Sequence, residues 1–440
     1  MTVACSQPSP SNPPGSGSSP TQTITGGERI GWDQQAGSPD ELAAFHYLIY
    51  VDNVGTEVQN VSCAAETSAA SACSGQLPSM SAGPHALALS AYIDTDGTRQ
   101  ESPRSETLKV VVVARVATAP VAAASVITTL DGVQLHASTI AGGLDDPTDL
   151  SFASDGRIFI AERGGRVLVF RDGRLQPAPA LTLSDATTEN RQGLLAMAVD
   201  PAYQRNHFVY IVYTAASGFR LARFRGVGDT LGDRAILMEG VASRSARPAA
   251  SLRFGPDGKL YAGFDDAGDA LRAGDLGSFN GKILRLNADA TTPADRAGTP
   301  VYVANLNAPL GMDWDAGGAT LWVVEDAASG SGKAQAVVAE DTRQRRGTAV
   351  RRYSLPDGAG VAALAFYRGD LIPEFRGDLL LAADAEHAVL RLRFDAADPW
   401  RVVATERLLG DLLDGARAIG VGRDGAIYLC AAHTLVRLAL

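Results

Sequence analysis

Residues 252–264 read LRFGPDGKLYAGF, in which one apolar strand pattern, a Pro-Asp-Gly turn and a second apolar strand pattern follow in order. The same text recurs as DLSFASDGRIFIAE (149–162), LAMAVDPAYQRNHFVYIVY (195–213), GMDWDAGGATLWVVE (311–325), LAFYRGDLIPEFRGDLLLAA (364–383) and IGVGRDGAIYLCA (419–431). The second strands centre on Ile158, Val209, Leu260, Leu321, Leu379 and Ile427, about 50–60 residues apart. A third strand of alternating charged and apolar residues follows most copies, as in GRVLVFRDG (165–173) and VLRLRFD (389–395), but the copy at 311–325 shows none. A unit of three or four strands cannot bury both faces of its own sheet, and radial stacking of such units covers them. Six copies therefore predict an all-β chain with a six-bladed β-propeller over residues 128–440. The segment VQLHASTIAGGL (133–144) is expected to pair with the last blade, closing the ring so that no sheet edge stays free. Asp155 with Gly156, Asp257 with Gly258 and Asp424 with Gly425 are expected to make two-residue hairpin turns, where Gly supplies positive φ and Asp tolerates it.

Upstream, residues 27–116 alternate short apolar strands with turns, AFHYLIYVD (44–52), HALALSAYID (85–94) and TLKVVVVARV (107–116) being the clearest, which predicts a small β-sandwich. With Trp32, Tyr47, Tyr50 and the stretch at 83–105, this segment resembles a fibronectin type III or immunoglobulin-like module, which implies a spacer or docking role. Residues 1–26 are a Pro/Ser/Gly tract with too little apolar surface to fold, so a disordered tether is expected there, and 117–127 is expected to be a linker. Cys63 and Cys73 lie ten residues apart with no His nearby, which favours a disulfide over zinc and implies an oxidising compartment. Cys430 sits in an apolar run and is expected to be a buried small hydrophobe. Thr2, Val3 and Ala4 ahead of Cys5 resemble the end of a bacterial lipoprotein signal, which makes Cys5 a lipidation candidate; the other reading is a cysteine in a disordered end. The expected location is exported, periplasmic or held outside the cell by a lipid anchor.

The 440 residues carry 49 acidic and 39 basic side chains, a formal charge of -10, which argues against nucleic acid as a partner. No apolar run is long enough to span a membrane, and a monomer is expected. Phosphate-loop, H-E-x-x-H, dinucleotide and G-x-S-x-G signatures are absent. Five arginines within residues 340–352 are expected in a solvated loop between blades four and five.

Several strings are more specific than a generic propeller. LDDPTDLSFASDGRIFIAERGGRVLVF (144–170), GLLAMAVDPAYQRNHFVYIVYT (193–214), LRFGPDGKLYAGFDDAGD (252–269), SFNGKILRLN (278–287) and LAFYRGDLIPEFRGDLLLA (364–382) resemble, in order, segments of the glucose/sorbosone dehydrogenase family. The resemblance covers about residues 138–440. It implies a soluble quinoprotein that uses pyrroloquinoline quinone (PQQ) and calcium to oxidise the C1 hydroxyl of an aldose, with hydride passing to the quinone.

The family's catalytic histidine, in an H-x-G-G-x-L pattern, falls on Arg247, and a guanidinium stays protonated and cannot act as the base. The R-N-P-Q-G segment that contacts the quinone falls on residues 307–311 and reads Asn-Ala-Pro-Leu-Gly. The calcium loop falls on residues 326–333, and the lysine that pairs with the quinone's carboxylates falls at about Ala385. Of an R-x-R-D motif, Gly415, Arg417 and Ala418 remain as counterparts, so only the second arginine is kept. Two readings follow. In the first, the chain is a divergent quinoprotein sugar dehydrogenase, with Asp266 as a candidate base and Asp265, Asp266 and Asp269 as candidate metal ligands. In the second, it is a non-catalytic propeller binding a sugar or anionic glycan, in which Arg191, Arg247 and Arg417 line a central funnel suited to carboxylate or phosphate. The bland alternative for those arginines is that they pair with Asp265, Asp266 or Asp269 and plug the cavity.

Overall fold

Each sequence repeat forms one antiparallel sheet in the computed structural model, which describes residues 22–24, 29–65, 70–78, 80, 83–95, 98–112, 125–244, 246–295, 298–318, 320–326, 336–341, 351–355, 360–398, 400–410 and 412–440. The innermost strands of blades one to six are Pro147–Phe152, Leu194–Val199, Ala250–Phe254, Ala308–Trp314, Val361–Phe366 and Ala418–Val421. Each touches the next around the ring, and the sixth touches the first.

The middle strands are buried on both faces, which is why they read as unbroken apolar runs. In Ile158–Glu162 of blade one, Ile158 and Ile160 pack toward blade six with Leu435 and Ala418, while Phe159 and Ala161 pack toward blade two with Met197 and Ile211. Period-two alternation sends successive side chains to opposite faces. Apolar clusters of this kind fill all six junctions between neighbouring blades.

Ring closure follows the sequence expectation: Gln134–Gly142 pairs antiparallel with Thr434–Ala439, from His136 opposite Ala439 to Gly142 opposite Thr434. The sixth sheet gains a further outer strand, Ser125–Thr128, which begins inside the stretch expected as a linker. The fully buried Arg391 of blade five ties that hairpin down through Asp131 at 2.8 Å and also holds Asp378 and Glu406.

Three sequence expectations are corrected. The Asp-Gly turns are three-residue loops: the amide of Ala153 bonds the carbonyl of Arg157, that of Gly156 bonds Ala153, and only Gly156 takes positive φ, at 90°. The same bonds recur at Gly255 to Lys259 and Gly422 to Ala426. Asp155, Asp257 and Asp424 stay in the ordinary φ range and use their carboxylates to accept the amide two residues on. Blade four does have a third strand, Ala336–Asp341, and a fourth, Arg351–Ser354. The arginine-rich run therefore lies within blade four, with residues 342–350 outside the described set.

The first unit, Met1–Val116, holds a six-stranded and a three-stranded sheet whose facing side chains, among them Tyr47, Ile49, Leu89 and Val110, form one core with Trp32 packed on it. Cys63 and Cys73 sit opposite each other on adjacent strands and form a disulfide. Gln22–Ile24, within the expected tether, pairs in parallel with Leu108–Val112. Cys5 lies outside the described residues. Among the described residues no helix is long and apolar enough to cross a membrane.

Leu135 is fully buried in the closing strand. Leu135→Ala should lower unfolding stability by about 2–5 kcal/mol, whereas Val126→Ala, on the exposed outer strand, should cost under about 0.5 kcal/mol. Urea unfolding followed by fluorescence measures both, and equal midpoints for the two variants would refute a packed closure.

Candidate functional site

The first strand of every blade starts at one end of the ring and the second strand returns there, so this end collects the loops that enter the first strands and leave the second strands; we call it the mouth. In blades one to four a polar side chain at the end of the second strand accepts the amide just ahead of the first strand. Glu162 accepts Asp145 at 2.7 Å, Thr214 accepts Gly193 at 2.7 Å, Asp265 accepts Ala249 at 2.9 Å and Glu325 accepts Asn307 at 3.0 Å. These bonds fix where each loop enters the sheet and satisfy amides that the ladder leaves over.

The residue after Glu162, Arg163, organises the mouth. Its amide bonds the carbonyl of Asp146, its carbonyl accepts Leu194, and its guanidinium reaches Asp146 at 2.8 Å and the carbonyl of Arg191 at 2.9 Å. A side chain at Gly193 would collide with the Arg163 carbonyl, so glycine is required at that approach. Arg417, entering blade six, bonds the other oxygen of Asp146 and lies 3.5 Å from Asp384. Arg163 therefore has Asp146 as its counter-ion but feels Arg191 and Arg417 as like charges; burial first, and those neighbours with it, pull its pKa down. Arg247 joins from blade three: its amide bonds the carbonyl of Asn190 at 2.8 Å. Asn190, Arg191 and Arg247 all take positive φ, at 51°, 64° and 54°. The side chains of Arg191 and Arg247 are exposed, and no described carboxylate pairs with either.

The sequence-derived candidates thus divide. Arg191 and Arg247 share adjoining loops, and Arg417 meets them through Asp146 and Arg163. The expected plug partners are corrected. Arg417 pairs with Asp146 and Asp384, while Asp266 is held by Arg244 at 2.6 Å. Asp265 is fully buried with its carboxylate spent on the amides of Ala249 and Ala267, and Asp269 caps the short helix Ala270–Gly274. The three carboxylates serve separate loops, and among the described residues no three Asp, Glu, His or Cys side chains gather where a metal ion could sit. Asp326 ends a strand, and the rest of the calcium-loop counterpart, 327–333, lies outside the described residues. Ala385 is exposed beside Asp384.

Arg163, Asp146 and Asp384 were missed by sequence reasoning. For Asp384 the repeat held the signal, because Glu162, Thr214, Asp265, Glu325 and Asp384 occupy the same place at the end of successive second strands. At the other end of the inner strands, an axial cavity of about 930 Å³ is lined by Phe152, Arg253, Trp314 and Arg368, whose cations are already bound by Asp149 and Asp313.

Comparison with known proteins bears on this mouth. The profile of the Glucose / Sorbosone dehydrogenase family matches residues 144–341 and 333–438. An uncharacterised protein of Synechocystis is 26% identical over 348 residues, covering 67% of this chain and 84% of that protein. A Thermus thermophilus oxidoreductase described as a glucose dehydrogenase superposes with a TM-score of 0.59 at 28% identity, covering 69% of this chain and 99% of that one. The PQQ-bound aldose sugar dehydrogenase of Streptomyces coelicolor shares the fold, with a TM-score of 0.58 at 21% identity, covering 73% and 99%.

Burial pushes Glu162 from its ordinary 4.5 up to about 7, against the pull of Arg166 and the Asp145 amide, and pushes Asp265 up to about 6. A carboxyl whose folded pKa lies above its unfolded value favours folding at low pH, and that contribution is lost as pH rises through the folded value. The urea midpoint should therefore fall between about pH 5 and pH 8. Glu162→Gln should flatten the fall by about 2–3 kcal/mol at pH 8, and a variant that tracks the wild type in parallel would contradict the assignment.

Proposed function

The chain belongs to the glucose/sorbosone dehydrogenase family, and from that premise we propose that the mouth of its propeller binds a carboxylate-bearing sugar or glycan without carrying out the family's quinone-dependent oxidation. The observation that carries this reading is the pair of exposed guanidiniums, Arg191 and Arg247, on adjoining loops with no described carboxylate partner, beside the anchored pair Arg163 and Arg417. A planar guanidinium fork binds a carboxylate through two parallel bonds, and several around one opening select anionic over neutral sugars.

The base and the calcium of that oxidation do not fit the residues that are described. Arg247 stands at the base position and cannot accept a proton. Asp265 is sealed under backbone amides, and Asp266 takes the Arg244 guanidinium and the Gly268 amide on Oδ1, so burial opposes the first and a tight ion pair the second as a base or metal ligand. A second reading, a divergent sugar dehydrogenase, is favoured by the same arginines, because the quinone also carries carboxylates. The cross-strand disulfide supports an oxidising compartment and hence export, with the amino-terminal sandwich as a spacer or docking module.

Calorimetric titration should show D-glucuronate binding and D-glucose binding at least about tenfold more weakly. Arg191→Ala and Arg247→Ala should each weaken glucuronate by about tenfold. After incubation with PQQ and calcium the protein should show no aldose-dependent dye reduction. Glucose turnover that survives purification would replace this reading with the dehydrogenase, and equal affinity for the two sugars would remove the anion preference.

A further inference from the structure

We propose that Asp146 is an internal stand-in for the ligand's carboxylate: it occupies the guanidiniums of Arg163 and Arg417 when the mouth is empty and is displaced when an anion binds. The inference rests on the anion-binding reading above and adds how that site is controlled. One carboxylate bridges two guanidiniums, with Oδ2 taking Arg163 Nε at 2.8 Å and Oδ1 taking Arg417. This is the geometry an incoming carboxylate would adopt on the same pair.

Asp146 is one-third exposed, so solvent reaches it, whereas Arg163 and Arg417 are less exposed, at 18% and 23% of their side chains. The backbone under Asp146 is fixed independently of its side chain. The Asp146 carbonyl accepts the Arg163 amide, the preceding amide of Asp145 is held by Glu162, and Pro147 follows. The carboxylate can therefore rotate out to water about its own side-chain bonds while the loop stays in place. The backbone of Asp146 is also held at a φ of 47°, a conformation uncommon for a residue other than glycine and one that aims this carboxylate at the mouth. Arg417 Nε is buried, makes no hydrogen bond and lies 3.5 Å from Asp384, so a second carboxylate stays close to this guanidinium when Asp146 swings away. Displacement costs the protein the two ion pairs of Asp146 and returns those the ligand makes with the same guanidiniums, so the net affinity for a ligand is set by how well it outcompetes an aspartate at high effective concentration.

The test is titration of the full chain with D-glucuronate and with inorganic phosphate, comparing wild type, Asp146→Asn and Asp145→Asn. Asp145 carries the same charge one residue away but is exposed and pairs only with Arg166. If Asp146 competes with the ligand, Asp146→Asn should tighten both anions by about tenfold or more, and Asp145→Asn should change them by less than about twofold. Asp146→Ser, which also lacks the charge, should reproduce the gain if the asparagine variant folds poorly. A folded Asp146→Asn protein that binds anions equally or more weakly would make Asp146 a structural bridge and overturn the proposal while leaving the anion site standing. An equal gain in Asp145→Asn would reduce the effect to net charge and also overturn it. Failure of the wild type and of every variant to bind either anion would overturn the anion-binding reading itself, and the displacement with it.

Discussion

The pairing of Gln134–Gly142 with Thr434–Ala439 is the contact on which both the ring and the mouth depend. A propeller blade has one neighbour on each side, and every apolar face described here is covered by the next blade. Without that pairing, blades one and six would each leave a face and a sheet edge open to water. The same seam brings Arg417 to Asp146, residues 271 positions apart in the chain. Blade six supplies one guanidinium of the cluster, and blades one, two and three supply the others together with the shared carboxylate. Closure is thus a condition for the electrostatic centre as well as for the core.

The fold was legible because a blade is a local unit with a repeated text. A middle strand such as Ile158–Glu162 must be apolar on both faces, and the turn ahead of it must hold a glycine in positive φ. Both demands leave marks within about a dozen residues. What escaped reading was long range or atypical. The third strand of blade four, AVVAED, lacks the basic alternation of its counterparts and follows a polar stretch that obscures its start. The two-residue turn assignment failed because Asp155, Asp257 and Asp424 bond forward to an amide instead of adopting positive φ. At the mouth, Arg247 and Arg417 could be found through resemblance. Asp146 and Arg163 could not, since their meaning lies in a bridge across the seam that no local pattern encodes. The acidic run at 265–269 misled in the opposite direction: three neighbouring carboxylates suggest a shared site, yet each is consumed by its own loop.

The two ends of the inner strands resolve the same electrostatic problem differently, and the contrast identifies the working end. Toward the cavity, Arg253 donates two bonds to Asp149, at 2.7 and 2.8 Å, and Arg368 donates two to Asp313, at 2.8 and 3.0 Å. Those carboxylates also accept the amides of Met197 and Phe366 on the next blade, so Arg253 and Arg368 are each matched by one carboxylate that also ties two blades together. Such pairs gain little from releasing a partner, because a lone charge left in a half-buried site is costly. At the mouth, one carboxylate serves two guanidiniums while two further arginines remain exposed without a described counter-ion. A chain of net charge -10 has acidic residues to spare. The exposed Arg191 and Arg247 are therefore a property of this place and not of the composition, and an external anion there would meet cations that no described carboxylate already holds.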